Sequence, residues 1–163
     1  MFKLQKFALL IFSLTALQQL YMGGLYLSAA EFMPYHAQAL QTEWSELNSN
    51  YQGLILGYMK GMGAGALVVG LASGFMVLRY WQSVLLITQS SLEPSQDSVK
   101  AISSVEIISI LLPLLSLAYN VLLNYASYYV SVTTPGQPSV NVMTVMTVLL
   151  LSASLVLWRS KPK

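Results

Sequence analysis

The chain has 163 residues, enough for one domain, with 55% apolar and 9% charged residues against roughly 25% charged in ordinary soluble domains. A soluble fold of this size cannot hide that much apolar surface. Eight basic and six acidic residues, net +2, provide no clustered basic patch for nucleic acid, and the absence of cysteine excludes a disulfide framework and thiol chemistry.

Four apolar runs, at about 7–29, 61–78, 107–125 and 140–157, are each close to the ~20 residues a helix needs to cross a ~30 Å hydrocarbon layer. In lipid the backbone must satisfy its own hydrogen bonds, and the apolar residues do not alternate as barrel strands do. The sequence therefore predicts an all-α integral membrane four-helix bundle in a single domain, 1–163. The first run follows Lys3 and Lys6 and ends near "SAA" at 28–30, which suits a signal-peptide cleavage site. It is long for a signal peptide, so a retained membrane helix is expected.

The connection after it, "EFMPYHAQALQTEWSELNSN", is the longest outer segment. Pro34 can open a helix. Leu40, Trp44, Leu47 and Tyr51 then follow at spacings of 4, 3 and 4, as on the apolar face of a short amphipathic helix, with Gln41, Glu43 and Glu46 turned elsewhere. Asn48, Ser49 and Asn50 read as a turn into the second span. His36 shares this loop with Glu31, Glu43 and Glu46, but their spacing matches no zinc motif. A solvated or capping histidine is expected, with no metal and no cofactor. The Glu43/Glu46 pair reads as a wet helix face rather than an acid–base couple, which needs a rigid cleft.

In the second span Gly53, Gly57, Gly61 and Gly65 recur every four residues, and Gly70 and Gly74 repeat the interval. Such glycines let another helix approach closely. No phosphate-binding G-x-x-x-x-G-K-[ST] is present. Lys60 and Arg79 bracket residues 61–78, about 27 Å of helix, so both fit opposite interfaces with their stems snorkelling. The competing reading turns Lys60 inward toward an anion or a proton path. Beyond Arg79, "YWQSVLLITQ" is expected along the inner surface, and "SSLEPSQDSVK" is a polar connector. Glu106, opening the third span, is placed to pair with Arg79.

The third span carries Ser109, Pro113, Ser116, Asn120, Asn124 and Ser127 at intervals of 4, 3, 4, 4 and 3, a polar face that should look into the bundle, with Pro113 bending the helix. Counted by depth, Gln18, Gln19, Asn120, Thr144 and Thr147 fall in one layer of the outer half, near Lys60 and Asn124. Two readings stand: interhelical hydrogen bonds as structural glue, worth ~0.6–2 kcal/mol each, or a small cavity for a polar headgroup or ligand, lidded by residues 31–52. Seven basic residues (Lys3, Lys6, Arg79, Lys100, Arg159, Lys161 and Lys163) fall on one side of a four-span arrangement, which places both termini in the cytoplasm. Trp81 and Trp158 mark the inner boundary; Tyr26, Trp44, Tyr51, Tyr58, Tyr125, Tyr128 and Tyr129 crowd the outer one.

The stretch "EFMPYHAQALQTEWSELNSNYQGLILGYMKGMGAGALVVGLA", about a quarter of the chain, resembles small bacterial four-span membrane proteins in which an M-P-Y-H-like loop, here residues 33–36 with Tyr35, leads into a glycine-rich second helix. The architecture is also similar to DoxX-like four-helix membrane proteins. The resemblance implies a four-helix protein of a bacterial inner membrane and lends no catalytic residue. Three functional classes follow: a non-enzymatic accessory or self-associating subunit, alone or in a larger membrane complex; a binder or carrier of a small or lipidic ligand; and a membrane enzyme, with Lys60, Glu31 and His36 as its reactive groups. The enzyme ranks last because these three form no convergent acid–base set.

Overall fold

The computed structural model describes residues 2–89, 96–133 and 140–159. Its helices are α1 (Phe2–Ser28), α2 (Pro34–Leu40), α3 (Ser49–Gln89), α4 (Gln96–Thr133) and α5 (Val140–Arg159), with one 3-10 turn at Trp44–Glu46. Residues 90–95 of the expected polar connector, Lys161, Lys163 and the Ser127 side chain lie outside the described residues.

Three helices are long and apolar enough to cross a membrane: Leu4–Ser28 in α1, Ser49–Thr88 in α3 and Gln96–Ala126 in α4. The protein is a helical membrane protein. In α5 the described apolar stretch is shorter, Thr144–Arg159.

Local chemistry sets the helix ends. Pro34 occupies the first turn of α2, where its missing N–H costs nothing. Gln41 ends that helix in the left-handed region, at φ 51°. This residue interrupts the amphipathic helix expected across Leu40–Tyr51, which is instead divided among α2, the 3-10 turn and the start of α3. Asn48 caps α3: its Oδ1 accepts the Asn50 N–H at 2.8 Å. At its other end α3 does not stop at Arg79. It continues through "YWQSVLLITQ" to Gln89, so this segment extends the helix rather than turning aside. The 41 residues of α3 make about 61 Å of helix, twice a hydrocarbon thickness, and the 38 of α4 match it. Asp97 sits in the first turn of α4, where a negative charge suits the helix dipole. The helix continues through Pro113, which is buried.

The four long helices close a ring, α1 against α3, α3 against α4, α4 against α5 and α5 against α1. The surface is inverted relative to a soluble protein. Leu14 and Leu17 on α1, Val68 and Phe75 on α3, and Leu114 and Leu122 on α4 are more than half exposed. Thr15, Gln19, Ser73, Ser109, Ser116 and Asn120 are buried. The interior is also zoned. The apolar core, with Phe12, Tyr80, Leu112, Leu150 and Leu157, fills the half remote from the 29–48 connection. The buried amides, Gln19 and Asn120, lie in the half next to that connection.

The tightest contact is between α1 and α3. Buried positions on α3 run Met59, Gly63, Ala66, Gly70, Ser73, alternating intervals of 4 and 3. That is a heptad seam, the spacing of helices crossing at a shallow angle. A Cβ at Gly63 would lie 2.9 Å from Tyr26 Cβ and 3.0 Å from the Gly23 carbonyl oxygen; one at Gly70 would lie 3.1 Å from the Ala16 carbonyl oxygen. Gly23 meets Gly63 O at 2.8 Å in the same sense. The sequence reading put packing on the four-residue stripe. Within the chain only Gly70 of that stripe packs closely, whereas Cβ atoms at Gly53, Gly57, Gly61, Gly65 and Gly74 would have nothing within 4 Å.

Gly63→Ala and Gly74→Ala should therefore separate in thermal melts of detergent-purified protein. Gly63→Ala is expected to destabilise by about 1–3 kcal/mol through overpacking against backbone. Gly74→Ala is expected to leave stability unchanged or raise it by up to about 1 kcal/mol through helix propensity.

Candidate functional site

A cavity of about 80 Å³ sits between the four long helices in the half that carries the buried amides. On α1 the residues Thr15, Gln19, Met22 and Tyr26 recur at 4, 3 and 4 and supply one wall, with Gln18 beside them. Met62 and Ala66 of α3 face them; Tyr119, Asn120 and Leu123 of α4 and Met146 of α5 complete the lining. Gln18 and Met62 are exposed, so the cavity reaches the surface there. Gln19 is only 5% exposed, and neither its amide nitrogen nor its amide oxygen has a hydrogen-bond partner among the described residues. The Asn120 amide donates to Ser116 O at 2.9 Å, and the Thr15 hydroxyl donates to Ile11 O at 2.9 Å. These two are satisfied along their own helices; Gln19 is not.

Of the residues predicted for the polar layer, Gln18, Gln19 and Asn120 meet in this cavity and the others do not. Asn124 instead clasps α4 to α5, its Nδ2 donating to Thr147 Oγ1 at 2.9 Å, while Thr144 Oγ1 approaches Asn124 Oδ1 at 3.5 Å. Lys60 is exposed and does not line the cavity. Its Nζ donates to Leu27 O at 3.3 Å, at the end of α1 where carbonyls lack helical partners and a positive charge suits the dipole. Met22, Tyr26 and Met146 are cavity residues that sequence reasoning missed; their apolar character hides them among ordinary helix residues, although the spacing 15, 19, 22, 26 is a legible signal.

The 29–48 connection folds around Phe32, which is buried and meets Trp44 edge-on at 5.1 Å between ring centres. The Gln52 amide donates to Trp44 O at 2.8 Å and ties the 3-10 turn to α3. Tyr26, a cavity residue, is hydrogen-bonded through its hydroxyl to that of Tyr35 on α2, joining the loop to the cavity wall. Burial, and next the Tyr26 hydroxyl, push the Tyr35 phenol well above its ordinary range, so it remains neutral. His36 Nδ1 accepts the Met33 N–H at 3.1 Å, closing the first turn of α2 in the manner of a capping box. Glu46 does the same for the 3-10 turn: its Oε2 accepts from Thr42 Oγ1 at 2.9 Å and from Glu43 N at 3.2 Å. Those bonds, the Thr42 hydroxyl first, hold its carboxyl below the usual range. Glu31 and Glu43 are exposed. No group of three or more metal-capable side chains forms among the described residues.

At the opposite end Lys6 lies 5.8 Å from the ring centre of Trp81, a cation–π contact. Arg79 lines a shallow groove with Ser104 and Ile107 of α4. Glu106 is exposed and does not line that groove, and no ion pair joins it to Arg79 among the described residues. Ser104 and Ile107 turn to α3; Glu106 lies about 100° further round its helix from Ile107.

Comparison with protein-family models, curated proteins and solved structures yielded no match.

Burial lowers the His36 pKa from its ordinary 6.5. The folded loop then binds fewer protons than the unfolded chain in the window below pH 6.5. The stabilisation is complete above pH 6.5 and declines as pH falls through that window, because the imidazolium has no lone pair for the Met33 N–H. Hydrogen exchange of the Met33, Tyr35, His36 and Ala37 amides, corrected for intrinsic rates, should show less protection at pH 5.5 than at pH 7.5. His36→Gln, which keeps an acceptor but does not titrate, should flatten that dependence.

Proposed function

We propose that this chain is a four-span protein of a bacterial inner membrane, with both termini cytoplasmic, and that it acts as a non-enzymatic subunit that associates with further copies through one flank of α3. Support for the fourth span comes from α5, whose 20 residues make about 30 Å of helix. Support for the orientation comes from the basic residues, Arg79, Lys100 and Arg159 among them, that a four-span path gathers on the side of the termini.

The observation that carries the association is the open glycine flank. Gly53, Gly57, Gly61 and Gly65 are exposed, and a Cβ at any of them would meet no atom of the described residues within 4 Å. Each glycine in a helix interior costs about 1 kcal/mol relative to alanine. Within the chain the close approach that recovers this cost occurs at Gly63 and Gly70, on the other face. Four glycines at intervals of four offer a second helix a smooth groove in which backbones can touch, the arrangement that drives helix pairing where lipid removes the hydrophobic incentive. A non-enzymatic role is supported by Lys60 and His36, each turned to a backbone atom of its own neighbourhood and not toward the other.

The chain has no cysteine, so Gly61→Cys reports proximity without background. Disulfide crosslinking of Gly61→Cys in membranes should give a dimer. Light scattering of the detergent-solubilised wild type should give more than one copy, and Gly57→Leu/Gly61→Leu should yield a monomer that keeps its helix content and still melts cooperatively. A wild type that scatters as a monomer together with a Gly61→Cys variant that forms no crosslinked dimer, or an assembly indifferent to the leucines, removes the proposal.

A further inference from the structure

We infer that the cavity around Gln19 is a binding site for the uncharged, hydroxyl-bearing head of a membrane amphiphile, such as a monoacylglycerol, whose tail lies along the outer face of the helices. The site is distinct from the glycine flank and does not depend on association between copies.

Three observations define the ligand. The first is the amide of Gln19, 5% exposed and without a partner among the described residues for its donor or its acceptor. A buried amide left unmade costs ~1–3 kcal/mol. A group that satisfies both ends must itself accept and donate, as a hydroxyl does and as an ester or ketone does not. The second is charge. No Asp, Glu, Lys, Arg or His lines the cavity. A carboxylate, phosphate or ammonium head would enter without a counter-charge, at a cost of several kcal/mol. The third is shape. About 80 Å³ admits a few heavy atoms and not an acyl chain. Beside the Tyr26 and Tyr119 rings the walls are soft at Met22, Met62 and Met146, side chains that adapt to irregular contacts.

The entrance favours a molecule from the bilayer over one from water. Gln18 and Met62 mark the exposed rim. The surface beside that rim is apolar: Leu14, Leu17 and Tyr21 on α1 are each more than half exposed. Next to the cavity the outer connection is pinned by the Tyr26–Tyr35 hydroxyl contact and packed around Phe32. A head held by Gln19, with Gln18 at the rim, would leave its tail against these leucines.

The test uses the full chain in a dimethylamine-oxide detergent, whose head carries no hydroxyl, melted by tryptophan fluorescence with four additives. Monoolein supplies the hydroxylated head, methyl oleate the same tail with acceptors only, oleate the same tail with a charge, and glycerol the head without a tail. Monoolein should raise the midpoint by at least about 2–4 °C, and the other three should not. Gln19→Met, which removes the unpaired amide at nearly constant volume, should melt at or above the wild type and lose the monoolein shift. Ala66→Leu, which fills the cavity without touching its polar groups, should lose it as well. No shift with monoolein overturns the inference, as does an equal shift with methyl oleate or oleate. An equal shift with glycerol overturns the amphiphile. A monoolein shift that survives either variant places the binding elsewhere and overturns the site.

Discussion

Everything in this fold answers one constraint: hydrocarbon offers polar groups no hydrogen-bond partner. The backbone meets it by being helical in every described element. Polar side chains turn away from the hydrocarbon: Gln19, Ser73, Ser116 and Asn120 are buried while Leu14, Phe75 and Leu122 face outward. Burying a leucine is no gain when lipid is as apolar as the interior, so the packing must come from close fit. The glycine contacts at Gly23–Gly63 and Ala16–Gly70 are that fit, backbone against backbone at spacings of seven on both helices.

The same constraint explains why the interior is divided. In the half with Phe12, Leu112 and Leu150 the helices interlock through apolar side chains. In the other half amides replace them. Most of these are satisfied on their own helix or across one interface, as Asn120 is on Ser116 and Asn124 is on Thr147. Gln19 stands apart because its helix neighbours do not reach it. A glutamine is long enough to leave its own backbone behind, so it points to whatever the cavity holds.

The apolar runs made the helical class and the membrane setting legible. Depth counting placed Gln18, Gln19 and Asn120 together, because straight helices of similar rise carry register across a layer. Other features depended on facts no single run encodes. Arg79 looked like a boundary, yet α3 runs ten residues past it, since a long arginine stem on a helix that projects beyond the bilayer ends nothing. The four-residue glycine stripe is the louder pattern, but α1 docks on the heptad seam beside it, which a mixture of Met, Gly, Ala and Ser conceals. Lys60 finds the Leu27 carbonyl 33 residues away, and Tyr26 finds Tyr35 across a loop that Gln41 then breaks. Contacts of that kind follow from how the loop folds, not from periodicity.

The measurement that bears most directly on the inverted architecture is collisional accessibility of spin labels in liposomes. Single cysteines at Leu14, Phe75, Leu122 and Val148 sample the exposed face of each long helix in a chain with no native cysteine. At all four sites oxygen, which concentrates in hydrocarbon, should relax the label far more than a water-soluble nickel chelate. Chelate dominance at any of them, and at Val148 for α5 above all, would contradict a ring of helices that presents its apolar faces to lipid.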